Sequence, residues 1–161
     1  MKNETIITLA LVVVILVLFL FKTPLARFAA NLYVNTGGRE AMISGGGQEL
    51  NASEVPFTLV IQNTGNVKLT NIRIDTSATV PSALASAFEG KSCDELNPGE
   101  VCQLVSEPVD VEQYATEEGN NVTFQVRVLA DYSSGTIDGF TTPLQLTITK
   151  EVPSLTVSIT W

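Results

Sequence analysis

The sequence predicts an all-β fold, an antiparallel β-sandwich of about seven strands preceded by one N-terminal transmembrane α-helix. Three observations lead there. Residues Thr5 to Phe21 form an unbroken apolar run, TIITLALVVVILVLFLF. The remaining chain is rich in Thr, Val, Ser, Asn and Gly, which favour strands and turns over helices. Its apolar residues recur with a period of two in several short segments.

The apolar run has no charged residue, Gly or Pro. At 1.5 Å per residue it reaches about 25 Å, near the lower length for crossing a hydrocarbon core. Lys22 is placed to snorkel, and Pro24, Leu25 and Phe28 extend the apolar length. A helix that is apolar all round has no amphipathic stripe to pack on a soluble core. A cleavable signal peptide is the competing reading. Such peptides have a shorter apolar stretch and a small-x-small cleavage site. Here the run is longer, Lys22 and Arg27 follow it, and no A-x-A occurs just after it. The sequence therefore divides into an anchor over 1–27, a stalk or first strand with a glycine-rich loop over 28–56, and a sandwich over 57–161.

Orientation is contested. Lys2 precedes the run, offset by Glu4, while Lys22, Arg27 and Arg39 follow it. Counted literally, the positive-inside rule leaves the C-terminal domain in the cytoplasm. The cysteines and glycosylation sequons point to the outside instead, and long domains translocate largely regardless of charge. The expectation is a single-pass cell-membrane protein with an extracytoplasmic C-terminal domain.

Along the folded part, Phe28–Val34 reads as a continued helix or as a first strand. Gly37-Gly38 and Gly45-Gly46-Gly47 mark a flexible stalk or irregular loop. Phe57, Leu59 and Ile61 share one face of a strand, and Asn63-Thr64-Gly65-Asn66 is a turn cluster. In Val67–Ile74 the apolar phase shifts between Leu69 and Ile72, which predicts a bulge. Pro81–Phe88 is Ala-rich and suits one or two helical turns. Val101–Val109 reads as a strand after the Pro98-Gly99 turn. Asn121–Asp131 is the clearest strand, with Val122, Phe124, Val126, Val128 and Ala130 on one side. Phe140–Thr149 follows, with Pro143 near its start. Ser154–Trp161 alternates cleanly, which suits a core strand or a strand added to a neighbouring subunit. No long amphipathic segment supplies the crossover helices that a parallel sheet requires.

Cys93 and Cys102 are the two cysteines, with Asn97-Pro98-Gly99 between them. A Pro-Gly turn can fold the segment so that the sulfurs meet, giving a structural disulfide; two free buried thiols are the other reading. Two thiols alone make an incomplete zinc site, and the spacing is not the redox C-x-x-C. A disulfide implies an oxidising compartment. The sequons Asn51-Ala-Ser53 and Asn121-Val-Thr123 point the same way, with Asn51 and Asn121 as N-glycosylation candidates.

The formal net charge is -8. From Phe28 onward 16 Asp or Glu face 6 Lys or Arg, a balance of -10. Such a domain repels nucleic acid and anionic lipid. There is no His, so a Ser-His-Asp or Cys-His site cannot form within the chain. Eight carboxylates between Asp94 and Glu118 are uninterrupted by Lys or Arg. They lack the D-x-[DN]-x-[DN]-G calcium pattern and read as a solvated acidic face. No catalytic residue, cofactor site or metal site is expected.

FTLVIQNTGNVKLTNIRI and then CDELNPGEVCQL resemble the conserved-repeat, immunoglobulin-like domains of bacterial and archaeal cell-surface proteins. The matching residues are Asn63, Thr64, Gly65, Asn66, Leu69, Asn71 and Ile72, then Leu96, Pro98, Gly99 and Glu100. The resemblance covers about half the chain and implies an immunoglobulin-like sandwich in a surface or adhesive setting. Those proteins are often tandem arrays, whereas a single copy stands here directly behind the apolar run, which favours a small accessory or assembly subunit. The layout is also similar to pilin-like proteins and to the stator proteins of archaeal motility filaments, although no basic residue followed by Gly precedes the apolar run. Expected partners are the lipid bilayer through residues 5–21, other envelope or filament proteins, and a second copy in a homo-oligomer.

Overall fold

The computed structural model describes residues 12–14, 23–34, 54–150 and 155–160. The glycine-rich stretch, Asn51, Trp161 and most of the apolar run lie outside the described residues. Residues 12–14 are helical, with their valine side chains about half exposed. Among the described residues no helix is long and apolar enough to cross a membrane.

The fold is all-β and antiparallel, built from β1 (Phe28–Val34), β2 (Glu54–Val55), β3 (Phe57–Asn63), β4 (Leu69–Val80), β5 (Ser92–Leu96), β6 (Val101–Val105), β7 (Val109–Asp110), β8 (Asn120–Tyr132), β9 (Gly135–Phe140), β10 (Leu144–Lys150) and β11 (Leu155–Thr160). One helix, α1 (Ser82–Ala87), joins β4 to β5, and a 3-10 turn covers Glu112–Tyr114. The smaller sheet has the order β1-β3-β6. The larger runs β11-β10-β8-β4-β5, with β9 also on β8; β2 and β7 form a separate pair. Of the two readings of Phe28–Val34, the strand is the one formed, in full register with β3.

Period-two alternation places the core. Phe57, Leu59 and Ile61 of β3 are fully buried, as are Phe124, Val126, Val128 and Ala130 of β8. The Phe57 and Phe124 rings stack at 5.0 Å between centroids, so the inner faces of the two sheets meet there. Each such side chain contributes roughly 1.5–3 kcal/mol by leaving water. Leu84 of α1 and the adjoining Phe88 close the core beside β4 and are also buried. The Ala-rich segment therefore forms one short helix.

The expected bulge in β4 is present. Its pairing to β8 shifts between Thr70 and Arg73, and Asn71 takes φ 49°. The extra residue lets Leu69 and Ile72, three positions apart, both point inward, and both are fully buried. A second shift lies between Asp75 and Val80.

Phe140–Thr149 does not form one strand. β9 and β10 lie end to end along the edge of β8 opposite β4, with Phe140 beside Arg127 and Leu144 beside Phe124. Pro143 cannot donate to a ladder, and it sits in the gap between them. Thr141, 1% exposed, carries the ladder across. Its amide donates to the Val126 carbonyl at 2.9 Å. Its hydroxyl oxygen accepts from the Val126 amide at 3.0 Å. β11 pairs with β10 of its own chain, Gln145 opposite Thr160.

Candidate functional site

Two turns meet at one end of the sandwich. The first is Asn63–Asn66, at the end of β3; the second is Asn97–Glu100, between β5 and β6. Asn63 joins them from a fully buried position. Its side-chain amide donates to the carbonyls of Val67 at 2.8 Å and Leu96 at 2.9 Å. Its side-chain oxygen accepts from the Gly65 amide at 3.0 Å. Its backbone carbonyl accepts from Gly99, and its backbone amide donates to the Glu100 carbonyl. The Glu100 carboxylate in turn accepts from the backbone amide of Asn97 at 2.7 Å and from its side chain at 3.1 Å. Those bonds hold the Glu100 carboxyl below its ordinary value, the backbone one foremost. Asn63 is thus bonded directly to Leu96, Gly99 and Glu100 of the second turn.

The first turn also holds the segment that follows the apolar run. The Leu25 amide donates to the Asn66 side-chain oxygen at 2.7 Å, and the Asn66 side-chain amide donates to the Thr23 carbonyl at 3.3 Å. The Asn66 backbone amide donates to the Leu25 carbonyl, and those of Thr64 and Gly65 share the Arg27 carbonyl, all at 3.0 Å. Gly65 is required by close approach, since a Cβ there would overlap the Leu25 carbonyl oxygen. Residues 23–27 are therefore strapped to the turn, and β1 begins at the next residue. Sequence reasoning marked Asn63–Asn66 as a turn but had no signal for what the turn would bind.

Cys93 and Cys102 form a disulfide. Cys93 lies on β5 of the larger sheet and Cys102 on β6 of the smaller one, so the bridge ties the two layers beside the Asn97–Glu100 turn. Lys68 pairs with Glu95 at the same end.

The outward face of the larger sheet is polar and cross-linked. Arg127 on β8 bonds Asp75 on β4 at 3.2 Å and Asp138 on β9 at 2.8 Å, with its guanidinium 5.7 Å from the Phe140 ring centroid. Asp131 on β8 accepts from Thr136 at 2.7 Å, Asn71 at 2.7 Å and Arg73 at 3.0 Å. These bonds, that from Thr136 foremost, lower its pKa. That of Asp75 is lowered chiefly by the Ser77 hydroxyl. Asn121 and Thr123 of the second sequon are both exposed on β8, and Asn121 accepts from the Thr147 hydroxyl at 2.6 Å.

The eight carboxylates from Asp94 to Glu118 do not converge. Asp94, Glu95 and Glu100 lie at the strapped end; Glu107 and Asp110 lie past β6, toward the opposite end. Among the described residues no group of three or more His, Cys, Asp or Glu is placed to hold a metal ion. No family model, no curated protein and no solved structure matches this chain.

Proposed function

We propose that this is a membrane-anchored cell-surface protein whose acidic, immunoglobulin-like sandwich is held close to the bilayer and presents its faces to envelope partners. The observation that carries the reading is the strap. Residues 23–27 directly follow the apolar run, and five hydrogen bonds fix them to the Asn63–Asn66 turn. A domain on a free linker samples many orientations; one bonded within a few residues of its span does not. Two facing antiparallel sheets joined by a disulfide, with the two resembling turns interlocked at one end, support the immunoglobulin-like assignment and an oxidising compartment. The chemistry is binding, with no catalytic residue assigned.

The test is labelling of intact cells or vesicles with a membrane-impermeant maleimide, with and without reductant. Labelling from outside only after reduction is the expected result, and it places the disulfide and its domain outside. Labelling without reductant, and only once the membrane is broken, would put the domain in the cytoplasm and overturn the reading.

A second reading is a subunit or accessory of a pilus-like or archaeal surface filament, with the apolar helix packed in a filament core. The strap favours it too, because a fixed helix-to-domain junction suits regular packing. It requires polymers after gentle extraction; a monodisperse species removes it.

A further inference from the structure

The sequon Asn121-Val122-Thr123 opens β8, at the end of the sandwich opposite the strap. Period-two alternation turns Val122 toward the core and leaves Asn121 and Thr123 exposed together on the outward face. The Thr147 hydroxyl on β10 donates to the Asn121 side-chain oxygen at 2.6 Å, so that contact uses the oxygen and not the nitrogen a sugar would take. The surface around the pair is polar without charge, with Thr123 opposite Gln145 and Asn121 opposite Thr147. The charged residues of this outward face, Arg73, Asp75, Arg127, Asp131 and Asp138, gather in its other half.

Pairing at the sequon is one-sided. β4 reaches β8 only from Gln125 onward, opposite Val80. Among the described residues the ladder of Asn121 and Thr123 is to β10 alone, and Thr147 comes 26 residues after Asn121 in the chain. During synthesis the sequon is therefore an open segment until the chain has passed Thr147. The neighbouring edge also lacks the usual guard. β11, the outer strand beyond β10, reads LTVSIT, with no Asp, Glu, Lys, Arg or Pro. β5, the outer strand at the other end of the same sheet, carries Asp94 and Glu95. Uncharged edges invite strand addition unless something covers them. Register sets Asn121, Thr147 and Ser158 in one row, so Asn121 lies two strand spacings, roughly 10 Å, from β11.

We propose that Asn121 carries an N-linked oligosaccharide that covers the β11 edge; the proposal rests on the extracytoplasmic placement argued above. An N-linked sugar is bulky and solubilising, and from Asn121 it reaches across β10 to the uncharged outer strand. The donor is a polyprenyl-phosphate-linked oligosaccharide, and a separate membrane transferase makes the transfer. The bond between the anomeric carbon and the phosphate oxygen breaks, and a bond from that carbon to Nδ2 of Asn121 forms. The amide gives up one proton to solvent, and the lipid phosphate leaves with the electron pair of the broken bond. Transfer precedes closure of the β8–β10 ladder, while the segment is open.

The test uses the full chain taken from the membranes of the cells that make it. Labelling with the impermeant maleimide is scored first, and a cytoplasmic domain removes the placement and the proposal together. With the domain outside, mass spectrometry should find the peptide carrying Asn121 heavier by an oligosaccharide. Asn121→Gln and Thr123→Val should lose that mass, and Thr123→Ser should keep it; circular dichroism checks that each variant folds. In concentrated detergent extract Asn121→Gln should associate several times faster than the parent, and adding Ser158→Lys, which puts a charge on the outer strand, should reverse this. An external domain whose Asn121 peptide has the bare mass, or equal association of the parent and Asn121→Gln, would overturn the proposal alone.

Discussion

Asn66 and Leu25 form a reciprocal pair, in which the Leu25 amide donates to the Asn66 side chain at 2.7 Å and the Asn66 amide donates to the Leu25 carbonyl at 3.0 Å. The side-chain half is removable without touching the core, because both residues are at the surface. Asn66→Ala deletes the bonds to Leu25 and Thr23, each worth about 0.5–1.5 kcal/mol. Amide exchange over residues 23–27 should accelerate by about tenfold, while exchange in β8 stays as it was. Unchanged exchange at Leu25 would mean the strap is held by something other than this turn.

Asn63 has a larger role because it is fully buried. Asn63→Leu keeps the branched shape, in a somewhat larger side chain, but leaves the Val67 and Leu96 carbonyls and the Gly65 amide without their side-chain partner. Buried groups left unsatisfied cost about 1–3 kcal/mol each when water cannot reach them. Chemical denaturation followed by circular dichroism should show a loss of about 3 kcal/mol. A loss below about 1 kcal/mol would show that the two turns hold together without Asn63.

Where packing alone decides structure, the sequence was readable. β3 and β8 announce themselves by alternation, and the bulge at Asn71 by the phase shift between Leu69 and Ile72. Where backbone bonds decide, it was not. β9 reads GTIDGF, with two glycines and an aspartate, and is held by its ladder to β8 and by Asp138 reaching Arg127. β5 reads SCDEL and is a strand because Leu69 and Ile72 of β4 lie opposite Leu96 and Cys93. Neither carries the apolar rhythm that marks a strand from sequence. The junction was half legible: Asn63–Asn66 and Pro98-Gly99 are turn residues by type, but which segment a turn's amides will bind depends on the tertiary path of the chain.

Thr141 illustrates the same limit and is separately testable. Its hydroxyl oxygen is the acceptor for the buried Val126 amide at the break beside Pro143. Thr141→Val keeps the shape and removes the acceptor, so a loss of about 1–3 kcal/mol is expected. Thr141→Ser keeps the oxygen and should recover most of it. Equal stability of the valine and serine variants would refute the bridging role.

The disulfide closes a short loop but joins two layers. Replacing Cys93 and Cys102 by Ser frees the Asn97–Glu100 connection in the unfolded chain, a cost of roughly 2–3 kcal/mol. The larger sheet keeps its own ladders, so the double variant should fold with a lower melting temperature. Exchange should rise first in β6, whose ladder is to β3 alone.

Acid should destabilise the fold only as pH falls into the carboxyl range. Asp75, Glu100, Glu107 and Asp131 are held below their ordinary values of 3.8 for Asp and 4.5 for Glu, by hydrogen bonds first and by neighbouring cations second. A depressed carboxyl stabilises the fold above its unfolded pKa, and the contribution is lost as pH falls through the lower, folded value. The melting temperature should therefore hold from pH 7 to about 4.5, then fall, most steeply below about pH 3.8 as Asp131 and Asp75 protonate and their bonds to Thr136, Arg73, Ser77 and Arg127 weaken. Asp131→Asn should begin lower at pH 7 and fall less steeply in acid. A steady decline already between pH 7 and pH 5 would show that groups other than these four set the acid response.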